Sequence, residues 1–287
     1  MPPILSRARA AALLAVLALS ACATEPGATR SDYRDMLARL RAVGFAREEV
    51  RPADAPYGAE ELARNFARAV HAHERQKEPK DPAPLQRWEG PVRYRFYGAS
   101  PAGAEKARMA QLVPRLAGAT GLDIAPARTD DEANLAIFVL NAEERRFWRS
   151  KPEDERTPYN VSRLTRSLAD NDSMLCVLTT FYAREGDPDV IVAGATVILA
   201  ELPEAIRTAC IDEEVTQILG PFWDHNSARP SIFNDDQEFM FLTDHDEDLL
   251  RLLYDPRLSP GMMREDTAPI LPQIIQDRRL GRPGLAG

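Results

Sequence analysis

The chain has 287 residues, with 36 Lys and Arg against 44 Asp and Glu and a formal net charge of −8. An acidic chain with no basic cluster is a poor partner for nucleic acid or anionic lipid head groups. The length suffices for one domain with a sizeable core plus an appendage, and no run of 18 apolar residues occurs after the first 22 positions.

Residues 1–22 read as an export signal. Arg7 and Arg9 form a short basic stretch, and Ala10 to Leu19 is apolar but too short to span a bilayer. The run Leu19-Ser20-Ala21-Cys22 resembles the bacterial lipoprotein box, which implies cleavage before Cys22 and acylation of that residue. Several acyl chains, at about 0.8 kcal/mol per buried CH₂, anchor durably where one chain is marginal. The alternative is an ordinary signal-peptidase site near Ala21-Cys22-Ala23, which would release a soluble periplasmic protein. Position 23 is Ala, not the Asp that resembles an inner-membrane retention signal. The expected location is therefore the outer membrane, facing the periplasm, with lipidated Cys22 as the membrane contact.

Residues 23–30 are small and polar and read as a tether. Ser31 then caps a helix with Tyr33, Met36, Leu37 and Leu40 at helical spacing. REEVRPADAPYG reads as a loop, and a second helix is predicted from Ala59 to Gln76, with Leu62, Phe66, Ala69 and Val70 on one face. His71 and His73 within it point to opposite sides of a helix and cannot share an ion, so they read as surface histidines. This N-terminal helical segment spans 31–90.

An α/β (α+β) domain is expected over 91–265, with 266–287 as a C-terminal tail. PVRYRFYG alternates as a half-buried strand from Val92, and a helix is predicted over Glu105 to Ala117, with Pro114 as a kink or early stop. LDIAP is a short strand and ANLAIFVLN a central buried one. The charge-rich stretch from Ala142 to Asp172 reads as an insertion with one helix around Val161 to Leu168. MLCVLTTFY and VIVAGATVILA give two more strands across the turn REGDPD. Leu202-Pro203 opens a central helix and Gly220 stops it. With Cys22 committed to lipid, Cys176 and Cys210 are expected to form a disulfide between an edge strand and this helix, in preference to two buried thiols.

The central helix carries the strongest pattern. Zinc proteases of the metzincin group hold their metal with H-E-x-x-H-x-x-G-x-x-H, in which the glutamate activates the zinc-bound water. Laid along that pattern, Glu213, Glu214, Gln217, Gly220 and Trp223 stand at first histidine, glutamate, second histidine, glycine and third histidine. The spacing survives without the ligands. Downstream, SIFND (Ser231 to Asp235) resembles the methionine-bearing turn, with Phe233 in place of methionine. LTDHDEDLLRLLY resembles the closing helix, with Thr243 as N-cap, Asp246 completing a capping box, and Leu249, Leu250 and Leu253 facing the core. The resemblance runs from Pro91 to Pro260. It implies a metzincin-like twisted mixed sheet with a central and a C-terminal helix, and a substrate held as an added strand along the sheet edge.

The chain also resembles an uncharacterised family of proteobacterial lipoproteins known only as a domain of unknown function. The phrases ARNF (Ala63 to Phe66), LQRW (Leu85 to Trp88), EEVTQILG, SIFND and LLYDPRLSPGM carry that resemblance. It implies an envelope lipoprotein and supplies no activity.

A carboxamide is a poor zinc ligand and an indole is none, so no cofactor is expected. A zinc ion held by a shifted set including His225 is the alternative. Oxygen ligands for calcium cluster among Asn234, Asp235, Asp236, Asp244 and Asp246, although capping and solvation explain them more cheaply. The expected function is non-catalytic binding of a peptide or envelope protein in a cleft formed by Glu213, Glu214, Gln217, Trp223 and His225. Two alternatives stand beside it. One is an unconventional hydrolase of peptide or peptidoglycan bonds with Glu214 as general base, and the other is a structural envelope tether.

Overall fold

The structure, a computed structural model, describes residues 30–281 apart from 72–82, 100–101, 154–157, 172, 184–185, 187, 221–222, 225–227 and 235–236. The proposed signal and Cys22 lie outside the described residues, as do His73 and His225. Two helices, α1 (Arg30–Ala42) and α2 (Ala59–His71), come first, followed by a short strand β1 (Arg87–Trp88). Then come β2 (Val92–Tyr97), α3 (Gly103–Thr120), β3 (Ile124–Pro126) and β4 (Leu135–Leu140). Helices α4 (Ala142–Arg149) and α5 (Val161–Asp170) precede β5 (Cys176–Tyr182), β6 (Val190–Leu199) and α6 (Glu204–Ile218). The chain closes with α7 (Asp244–Leu253), α8 (Arg264–Thr267) and α9 (Leu271–Arg278).

The fold is α/β with a mostly parallel sheet. Across the sheet, β3, β2, β4 and β6 lie side by side and parallel, and β5 pairs antiparallel to β6 as an edge strand. Strand β4 is the middle of the sheet, and all six of its residues are buried, as its unbroken apolar run requires. The sixth strand, β1, adds Arg87 and Trp88 in parallel to the start of β6. Nothing in the local run LQRW signals a strand, because its pairing is entirely long-range. Trp88 is fully buried, and its indole Nε1 donates to the Ile218 carbonyl at 2.8 Å, capping the end of α6.

Helix α3 overruns both predicted ends, and Pro114 sits inside it without stopping it. Proline removes one helical hydrogen bond, yet Met109, Leu112, Leu116 and Ala119 bury a continuous face on either side. Burial outweighs the missing bond, and the helix ends at Gly121, which adopts the left-handed conformation at φ 75°. Helix α4 is an addition to the elements expected from sequence. Its signal is the capping box of Asn141 and Glu144, a local device hidden in a charge-rich stretch.

His71 corrects the surface reading. It is buried at the end of α2, with Nδ1 donating to the Ala83 carbonyl at 2.9 Å and Nε2 meeting Thr267 Oγ1 at 2.9 Å. Burial pushes its pKa down. Helical spacing correctly separates it from His73 but carries no information on what α2 packs against. The stretch read as a tail carries the end of α8 and all of α9, and Leu271, Ile274 and Ile275 of α9 are buried in the common core. Arg257 and Arg278 both bind Asp255 and hold its carboxyl down at about 2, which pins the end of α9 to the turn after α7.

Helix α6 is fastened from three sides. Asp212, fully buried, accepts from Arg108 of α3 through both oxygens, at 2.5 and 2.6 Å, and from the Leu242 backbone at 2.9 Å. Arg207 pairs with buried Glu105 of α3. Gly194 lets β6 approach the helix: a Cβ there would lie 2.5 Å from Ile218 Cγ2. At the helix end Gly220 has φ 136°, and a Cβ would come within 2.8 Å of the Gln86 carbonyl, so the turn admits only glycine.

Candidate functional site

A cleft of about 970 Å³ opens between the edge strand β5 and helix α6. Residues four apart on a helix share a face, so Cys210, Glu213, Glu214 and Gln217 together form the α6 wall. The turn at Gly220 then returns the chain to the same space, where Trp223 and Asp224 line the cleft. Gln217 Nε2 donates to Asp224 Oδ1 at 2.6 Å and closes that return. Glu214 and Gln217 are nearly buried, each 5 % exposed, while Glu213 is half-buried. Four of the five predicted cleft residues thus face one cavity. The fifth, His225, lies outside the described residues.

The disulfide joins Cys176 of β5 to Cys210 of α6, the pairing expected from sequence. It fixes the edge strand against the helix at the cleft. Because Leu199 N donates to the Leu175 carbonyl and Ala183 N to the Val190 carbonyl, the antiparallel alternation fixes which groups face β6. The backbone N–H and C=O groups of Cys176, Leu178 and Thr180 point the other way, toward the open edge. All seven β5 residues are half-buried.

The lower wall contains Ile232 and Asn234 of the SIFND turn together with Gln237, Phe239 and Met240. Phe233 does not reach the cleft; it is 1 % exposed and part of the core. The turn is held from behind by α7. Thr243 and Asp246 form the predicted capping box, and Asp246 also accepts from Ser231 Oγ at 2.5 Å and from the Ile232 backbone at 3.2 Å. Asp246 is thereby consumed by the scaffold. Asp244 pairs with Arg51, and Asn234 Nδ2 donates to the Ala228 carbonyl. The calcium cluster read from sequence loses its described members to these contacts, and Asp235 and Asp236 lie outside the described residues.

The donors along α6 do not fit a zinc ion. Gln217 offers a neutral amide whose nitrogen is engaged by Asp224, and Trp223 offers no lone pair suited to a metal. Among the described residues no group of three or more His, Cys, Asp or Glu side chains converges as a metal site.

Sequence reasoning missed Asp224, the partner of Gln217, although it is the neighbour of Trp223. It also missed Arg163, Leu164 and Ser167 of α5 and Leu37 and Leu40 of α1, which line the cleft from other elements. The apolar stripe of α1 is visible in the sequence, but its destination is not. A family model described as a protein of unknown function, DUF2927, matches residues 59–273. No curated protein and no solved structure matches the chain.

Proposed function

We propose that this chain, which belongs to the DUF2927 family of proteins of unknown function, is an envelope lipoprotein with a metzincin-like, ligand-stripped cleft that holds an extended peptide or a segment of an envelope protein. The observation that carries the reading is the convergence of Glu213, Glu214, Gln217 and Trp223 on one cleft, beside a sheet edge with outward-facing backbone groups. A strand edge offers a row of donors and acceptors that pairs with any extended chain, while side-chain pockets beside it select the sequence. Four parallel strands side by side, extended by the short parallel β1 and flanked by one antiparallel edge strand, also support the metzincin resemblance. The proposed anchor at Cys22 would keep this cleft near the membrane.

The placement of Glu213 and Glu214 on one wall of the cleft favours the hydrolase as the second reading, because a carboxylate facing a bound peptide is positioned to act as a general base. Elemental analysis after zinc loading and dialysis, paired with a peptide-cleavage assay, separates the two. The binding reading expects no stoichiometric zinc and no cleavage, with Glu214→Gln indistinguishable from the native protein in the assay. One zinc per chain and cleavage abolished by Glu214→Gln would overturn it in favour of the hydrolase.

A further inference from the structure

We propose that α1 is a hinged cover of the cleft, whose detachment controls access to β5; the inference rests on the reading of that cleft as a binding site. Tyr33, Met36, Leu37 and Leu40 form one stripe of α1, and the stripe packs on the common core. Leu37 and Leu40 are also part of the cleft lining, so the helix closes a wall that no sheet element supplies. A chain laid along β5 enters the volume that these two side chains border.

The attachment of α1 differs from that of the segment immediately after it. Ala46 N donates to the Gln237 carbonyl at 3.0 Å, Arg47 N to the Glu238 carbonyl at 2.8 Å, and Met240 N to the Arg47 carbonyl at 2.8 Å. Arg47 also binds Asp54 and Glu238 through its guanidinium. The chain from Ala46 onward is therefore stitched to the lower wall. Between this stitch and α1 stand exposed Val43, 70 % accessible, and Gly44, whose φ of 86° lets Gly44 N and Phe45 N cap the helix at the Arg41 and Leu40 carbonyls, with the exposed Arg41–Glu48 pair as a side-chain link across the joint. A short glycine-containing joint between a helix seated by an apolar stripe and a backbone-paired segment is where a hinge forms. Helix α1 also precedes residue 59, where the family match begins, and starts at Arg30, the last residue of the stretch read as a tether. With the proposed anchor at Cys22, membrane attachment and cleft access would run through the same thirteen-residue helix.

Hydrogen exchange on the full chain in detergent, native and Leu40→Asp, tests this. Charging the seat is expected to free α1, accelerating its amides about tenfold or more, and to accelerate the hydrogen-bonded amides of β5 while those of α3 stay unchanged. The gentler Leu40→Ala is expected to give the same pattern at smaller amplitude, which keeps the test informative should the charged variant fold poorly. Exchange of α1 in concert with α3 in the native protein, or unchanged β5 amides in both variants, would overturn the cover. An arrayed library of short peptides, applied to the same proteins, isolates the functional reading. Accelerated β5 exchange with no peptide captured by native protein or variant leaves the cover standing and removes the peptide as its purpose.

Discussion

Replacing Arg108 with alanine is expected to destabilise the fold by about 3–5 kcal/mol. The guanidinium donates to both oxygens of Asp212, whose side chain is wholly buried, and its carbon lies 3.9 Å from the centre of the Phe241 ring. Removal leaves a buried carboxylate that accepts from the Leu242 amide and has lost its charged partner. Water cannot reach it to compensate, so the group escapes by taking up a proton, and its folded pKa rises. This gives the pH effect a definite sign. An unfolded aspartate ionises near pH 3.9, so the unfolded state of the variant sheds a proton that the folded state keeps. The deficit therefore grows as pH rises above about 4 and shrinks on acidification. Urea midpoints of native and Arg108→Ala protein at neutral pH and near pH 5 read both effects. A loss under about 1 kcal/mol at neutral pH would show that the Arg108–Asp212 pair adds little to the joint of α3 and α6.

Removing the disulfide by replacing Cys176 and Cys210 with alanine is expected to cost about 3–4 kcal/mol, the loop-closure value for a separation of 34 residues. The loss should be felt first at the cleft, because the bridge is the covalent link between the edge strand and α6. Proteolysis in β5 ahead of global unfolding, in the variant and in reduced native protein alike, is the expected signature. Equal urea midpoints for oxidised and reduced protein would contradict it.

The fold is legible where the pattern is local and long. The buried run of β4, the Thr243–Asp246 box before α7 and the Gly220 stop after α6 each announce themselves within a few residues. The cleft is legible because helical spacing alone puts Glu213, Glu214 and Gln217 on one wall, and a glycine turn brings Trp223 back. The features that escape depend on distant partners. β1 is a strand only because β6 lies beside it, and His71 is buried only because Ala83 and Thr267 close over it. Pro114 misleads because a proline weighs against a helix locally, whereas tertiary burial of the face formed by Met109, Leu112 and Leu116 offsets that cost. Leu37 and Leu40 reach the cleft through the docking of α1, which periodicity cannot specify.

The central claim is that the outward edge of β5 pairs with a peptide. Leu178→Pro tests it most directly, because the lost N–H faces the open edge and not β6, and proline is tolerated on an edge strand. Leu178→Ala controls for the side chain. Binding to an arrayed library of short peptides is expected to weaken about tenfold or more in Leu178→Pro, some 1.4 kcal/mol, with little change in Leu178→Ala and a similar thermal midpoint in both. Peptide binding that survives Leu178→Pro in a folded protein would contradict strand pairing at β5.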